Sequence, residues 1–173
     1  MISFAALGIV LAAGLPPLDV GVSTGPVFPV GNWGETIGTG IEARTSVHWK
    51  PWARVGVGAA LQADLFGDAW DGDASLSCIG PEISTAFFLR PGARVFNPGI
   101  EAAFGLTRSQ LQSGGGTDPA SWDPSWRAGL RWDFSLGMGL RGAAGFDFRG
   151  ILASGESADS FGLVFRVSRE VGR

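Results

Sequence analysis

Tyrosine is absent from this chain of 173 residues, and cysteine, histidine and lysine occur once each, as Cys78, His48 and Lys50. A lone cysteine excludes an internal disulfide and any Cys/His zinc set. A lone histidine removes histidine pairs and most metal sites, so neither a metal nor a cofactor is expected. Twelve arginines stand against the single lysine, yet the net charge is only −3 and the basic residues are scattered. That excludes an electrostatic grip on nucleic acid. Helical membrane spans are missing too: the apolar amino terminus, MISFAALGIVLAAGLPP, is shorter than the ~20 residues a bilayer-crossing helix needs. With small Ala12 and Gly14 placed for cleavage, it reads as a signal peptide over residues 1–14.

What the chain has in quantity is glycine, 28 residues without collagen's period of three, together with strict alternation. In WRAGLRWDFSLGMGL, Trp126, Leu130, Trp132, Phe134, Leu136, Met138 and Leu140 fall on one side of an extended chain, and Arg127, Gly129, Arg131, Asp133 and Ser135 on the other. The same period of two predicts eight strands: about 18–30, 37–49, 53–65, 76–90, 93–107, the quoted stretch, 138–148 and 158–171. Lys50-Pro51-Trp52, Pro91-Gly92 and Leu136-Gly137-Met138 read as tight turns, and 31–36, 66–75, 108–123 and 150–157 as longer polar links. In an up-and-down meander this alternation collects the tight turns at one end and the long links at the other. Pairing Arg90 with Ala93 sets Phe87 opposite Phe96, both apolar, and Pro98 inside the fifth strand predicts a bulge.

Soluble barrels alternate as well, so the polar face has to say which side is inside. Here it is built of Gly, Ala and Ser punctuated by Glu42, Arg44, Arg54, Asp64, Glu82, Arg90, Glu101, Arg127, Arg131, Asp133, Arg141, Asp147 and Arg166. Small residues suit an eight-strand lumen just wide enough for a few long side chains, and arginine's planar fork suits desolvated pairing with carboxylates. The apolar face then looks outward into lipid. The fold expected over residues 18–171 is an all-β, eight-stranded antiparallel up-and-down transmembrane β-barrel. Trp33, Trp49, Trp52, Trp70, Trp122 and Trp126 are assigned to the membrane interfaces, and Arg94 beside a turn can snorkel toward headgroups.

The strand count, the links and the segment Ser160-Phe161-Gly162-Leu163-Val164-Phe165-Arg166-Val167 resemble the small eight-stranded outer-membrane β-barrels of the OmpA and OmpX kind. In that family a polar residue, a glycine and two hydrophobic positions of the last strand form the signal read by the barrel-assembly machinery. Ser160, Gly162, Phe165 and Val167 occupy those places. The resemblance implies the outer membrane of a Gram-negative-type bacterium, contact with its lipid and lipopolysaccharide, tight turns in the periplasm and long links outside.

Residues that could carry chemistry are few. His48 reads as a lumen histidine hydrogen-bonded among polar neighbours; a general base with Glu42 or Ser46 is the alternative. The His-x-Ser-Asn type segment of outer-membrane lipid A deacylases is absent at His48-Trp49-Lys50. Asp68, Asp71 and Asp73 cluster in one link without EF-hand spacing and read as a solvated acidic loop, with divalent-cation bridging to lipopolysaccharide phosphate as the sharper alternative. Gly114-Gly115-Gly116 is a flexible link and Cys78 an inert lumen residue. The function expected is that of a non-enzymatic outer-membrane barrel with a plugged polar lumen, serving envelope integrity or surface interaction through four long extracellular loops. A lipid-modifying enzyme using His48 is one alternative. A soluble lipocalin-like carrier of an apolar ligand is the other.

Overall fold

The computed structural model describes residues 18–68, 75–90, 96–113, 115–153 and 156–171. Through them run β1 (Leu18–Pro29), β2 (Ile37–Trp52), β3 (Val55–Asp68), β4 (Ser75–Phe88), β5 (Asn97–Ser113), the two-residue β6 (Gly116–Thr117), β7 (Ser121–Gly137), β8 (Leu140–Ala153) and β9 (Glu156–Val171). A single helical turn, α1 (Trp33–Thr36), lies between β1 and β2. The eight long strands pair antiparallel in sequence order, and β1 pairs with β9, so the sheet closes into a barrel. Closure leaves no unpaired strand edge among them.

Alternation becomes a division between inside and outside. Every second residue of β4, from Leu76 to Phe88, is buried. Ile83 is 68% exposed and Phe104 67%, whereas Arg127 and Arg149 are 5% exposed. The barrel is apolar outside and ionic inside. A carrier of an apolar ligand needs the reverse, and this corrects the lipocalin-like alternative. On the outer face of β5, β7, β8 and β9, Trp132 lies 6.5 Å from Phe96 and 5.8 Å from Phe146, which is 5.9 Å from Phe161. Phe134 and Trp126 sit directly opposite Gly142 and Gly150 and cover them, so rings fill the space two missing side chains leave.

Register departs from expectation at several places, each for a local reason. β2 continues through Lys50 and Pro51 to Trp52, with an irregularity between Trp49 and Trp52. The turn therefore falls on Ala53 and Arg54. The β7–β8 turn falls on Met138 and Gly139, where Gly137, Met138 and Gly139 take φ of 85°, 52° and 76°. β4 and β5 pair Phe87 with Ile100 instead of Phe96. A shift by four residues keeps every side chain on its own face, so the apolar pattern is blind to it. Pro98 makes no bulge: it pairs in unbroken register with Trp132 near the start of β5, and its carbonyl accepts from the Leu89 amide at 2.9 Å.

At the long-link end the strands run on. β5 reaches Ser113 and β7 begins at Ser121, while only residues 154–155 separate β8 from β9. Most of the long link expected at 150–157 is thus strand, with Ala153 paired to Glu156. Ile37, expected on the outer face, is 4% exposed inside the barrel, because a bulge between Ile37 and Gly40 reverses the alternation there. The signal segment 1–14, the Pro91-Gly92 turn, Trp70, Asp71, Asp73, Arg94 and Gly114 lie outside the described residues.

The charged lumen as candidate functional site

Inward-facing positions of six strands, β2, β3, β4, β5, β7 and β8, converge on one network of ion pairs, and a separate pair joins β9 to β1. Arg127 of β7 donates through Nη1 to Glu42 Oε1 and Asp147 Oδ2, both at 3.2 Å, and through Nη2 to Glu82. Arg149 of β8 donates to Asp64 Oδ1 and Asp147 Oδ1, both at 3.0 Å, and to Glu42. Arg44 of β2 pairs with Glu82 and reaches Glu101 Oε1 at 3.0 Å. Toward the tight-turn end, Arg131 forks onto Asp133 at 2.8 and 3.0 Å and reaches Glu101 Oε2 at 2.7 Å. Arg166 of β9 meets Asp19 Oδ1 of β1 at 3.1 Å. Arginine is the residue for this work, since one planar group satisfies two or three carboxylates in a desolvated space.

Room for these side chains comes from small neighbours. A Cβ on Gly162 would stand 2.6 Å from Asp147 Oδ1 and 2.9 Å from Arg149 Nη2, so a side chain at that position of β9 would have to displace both charged groups. Above the ionic layer, at the long-link end, Val27, Ile37, Phe66, Leu76 and Cys78 pack together inside the barrel with Leu111 and Ile151. Below it, Phe88 is buried with Lys50 Nζ 4.8 Å and Arg131 Cζ 5.3 Å from its ring centroid. The lumen is therefore layered, apolar over ionic over a cation–aromatic floor.

Of the charges expected in the lumen, Glu42, Arg44, Asp64, Glu82, Glu101, Arg127, Arg131, Asp133 and Asp147 meet in this network, and Arg166 pairs apart from it with Asp19. Arg141 stands at its mouth, its side chain 39% exposed and paired with Glu170 at 2.8 Å. Arg54 and Arg90 are corrected. Both are exposed, Arg54 because the β2–β3 turn falls on it and Arg90 because β4 stops at Phe88. Sequence reasoning missed Arg149 as a network member and Asp19 as the partner of Arg166. Arg149 follows Asp147 by two residues and so shares its face, a signal hidden by ending the predicted strand one residue too early.

His48 contacts Ser84, not the residues expected. Its Nε2 lies 3.1 Å from Ser84 Oγ and 4.0 Å from Glu101 Oε1. A serine–histidine–acid relay needs the acid on Nδ1 while Nε2 faces the hydroxyl. Here both partners approach the same nitrogen. Ser46 donates instead to the Gly21 carbonyl, at 3.5 Å, and Glu42 is held by arginines.

Trp49 and Trp52 are exposed at the tight-turn end, and Trp122 is exposed at the opposite end. Trp126 packs on Phe148 at 5.9 Å, and Trp33 lies in α1. Ser160 and Gly162 face the lumen while Phe165 and Val167 face outward, all on the strand that closes the barrel against β1.

No family model matches the sequence, and no curated protein matches it. Solved structures do match in shape. Neisserial surface protein A superposes with a TM-score of 0.65 at 13% identity, over 88% of this chain and 96% of that one. The N-terminal β-barrel domain of Pseudomonas aeruginosa OprF gives 0.58 at 9% identity, over 88% and 96%. Ail, the attachment invasion locus protein of Yersinia pestis, gives 0.54 at 9% identity, over 89% and 96%. The chain has the fold of the small eight-stranded outer-membrane β-barrels.

Proposed function

We propose that the protein is a non-enzymatic β-barrel of the outer membrane of a Gram-negative-type bacterium, its polar lumen plugged by ion pairs. Its task is envelope integrity or surface interaction through the links at the long-link end. The observation that carries this reading is the inverted solvation of the barrel: phenylalanine, leucine and isoleucine bare on the outside, arginine buried on the axis. In water that outer surface would be an aggregation hazard, whereas in lipid it is matched. Its surroundings are outer-membrane lipid and lipopolysaccharide, and insertion runs through the barrel-assembly machinery reading Ser160, Gly162, Phe165 and Val167.

Cell fractionation tests the reading directly. The protein stays with the outer membrane after osmotic shock, and the unboiled sample migrates faster in a denaturing gel than the boiled one. Release into the shock fluid with no mobility difference would sink the proposal. The lipid-modifying alternative predicts an altered lipid A profile in a His48→Ala strain. An unchanged profile is expected, because His48 and Ser84 are both buried and lack the relay geometry.

A further inference from the structure

At the tight-turn end the outer wall carries charge that the protein does not neutralise. Arg54 and Arg90 at the rim and Arg169 on the outward face of β9 are exposed, and none of the three makes an ion pair among the described residues. The carboxylates of that end, Asp19, Asp133 and Glu170, lie on the lumen side, engaged by Arg166, Arg131 and Arg141. Among the described residues, the outer face and rim of this end therefore hold cations and no carboxylate.

Register sets Arg169 beside a groove. Arg169 pairs with Val20 of β1, Val20 with Val47 of β2, and Val47 with Ala59 of β3, which makes one cross-strand row on the outward face. The next row toward the middle of the barrel is Val167, Val22, Thr45 and Leu61. Val20, Val22, Thr45, Val47, Ala59 and Leu61 line an open outer groove of about 330 Å³. Trp49, 44% exposed, stands one row nearer the rim, opposite Leu18. Rows lie about 7 Å apart, so the wall passes in two steps from an indole, through a cation, to an apolar hollow. That is the order a lipid molecule presents from headgroup to acyl chain.

We propose that Arg169 and this groove bind one anionic phospholipid of the leaflet at the tight-turn end, its phosphate on the guanidinium and an acyl chain along Val22 and Leu61. The inference rests on the reading that lipid surrounds the barrel, and adds which lipid is held and where. The stem of Arg169 lies among Val20, Val167 and Val171, and its planar fork suits a phosphate. A zwitterionic headgroup brings an ammonium group for which this face has no carboxylate, so the uncompensated arginines select net negative charge. A second copy of the chain packed symmetrically on the groove would set Arg169 against Arg169, like charge against like.

Native mass spectrometry of the folded chain in detergent, titrated with phosphatidylglycerol and with phosphatidylcholine, is the test. One phosphatidylglycerol is expected to be retained saturably, with an apparent affinity about fivefold that of phosphatidylcholine. Arg169→Gln is expected to abolish the preference. Ala59→Phe, which fills the groove without altering charge, is expected to weaken both lipids. Arg108→Gln, on the outer wall at the long-link end, is expected to leave retention as in the unaltered chain. Equal retention of the two lipids, a preference that survives Arg169→Gln, or a lipid-free dimer that Ala59→Phe dissociates overturns the proposal. Unboiled gel mobility and cell fractionation of the same proteins report separately on residence in the membrane, so a missing lipid preference in a barrel that fractionates with the outer membrane strikes this inference alone.

Discussion

Replacing Arg149 by methionine keeps most of the side chain's volume and deletes its charge, and the geometry says which partner suffers. Arg149 serves Glu42, Asp64 and Asp147. Glu42 and Asp147 each keep Arg127 at 3.2 Å, but Asp64 keeps only the Gln62 amide. A carboxylate 2% exposed is then buried without a cation. Breaking a buried pair by removing one partner costs about 3–5 kcal/mol, because the stranded charge remains desolvated. Urea unfolding of the barrel in bicelles, followed by tryptophan fluorescence and by unboiled gel mobility, measures that loss for Arg149→Met. Adding Asp64→Asn removes the stranded charge and is expected to recover more than half of it. A loss under ~1 kcal/mol, the range of an exposed pair, or no recovery in the double variant, refutes the claim that this network is desolvated and mutually dependent.

Other substitutions probe other layers. Leu61 lies midway along β3 on the outer face, so Leu61→Arg costs ~2–4 kcal/mol in a bilayer; an unfolding free energy unchanged within ~0.5 kcal/mol would mean that water covers this face. Met138 takes φ 52° at a 90% exposed turn, so Met138→Gly gains about 0.5–1 kcal/mol by relieving left-handed strain, and a stability loss in the same urea assay contradicts that. A Cβ on Gly25 would collide with the Leu163 carbonyl across the closing β1–β9 pair, so Gly25→Ala leaves most protein at the unfolded mobility in refolding trials. Cys78 is 2% exposed within the apolar layer and resists maleimide in the folded barrel, reacting within minutes in urea; rapid labelling of the folded form would show that layer open.

The division of residues between two faces was legible in the chain itself: Trp132 against Arg131 and Asp133, Phe146 against Asp147, Phe165 against Arg166 need only the two-residue period of an extended backbone. Small inward residues, scarce lysine and abundant arginine pointed to a narrow, desolvated interior for the same reason. What stayed hidden was everything depending on how strands meet. The period cannot see an even slip, so Phe87 was matched to Phe96 when closure pairs it with Ile100. Nor can it see a bulge, and Ile37 joined the apolar layer inside the barrel because one extra residue before Gly40 turned it inward. Partnership within the lumen is equally non-local: Arg149 finds Glu42 across 107 residues of sequence, and Ser23 comes to lie between Arg44 and Arg166 only when β1 is paired on both sides. Alternation is a property of one strand, whereas register, bulges and ion-pair partners belong to the closed sheet. Only closure brings eight inward faces around one axis, and there the cost of desolvating each charge selects the pairing.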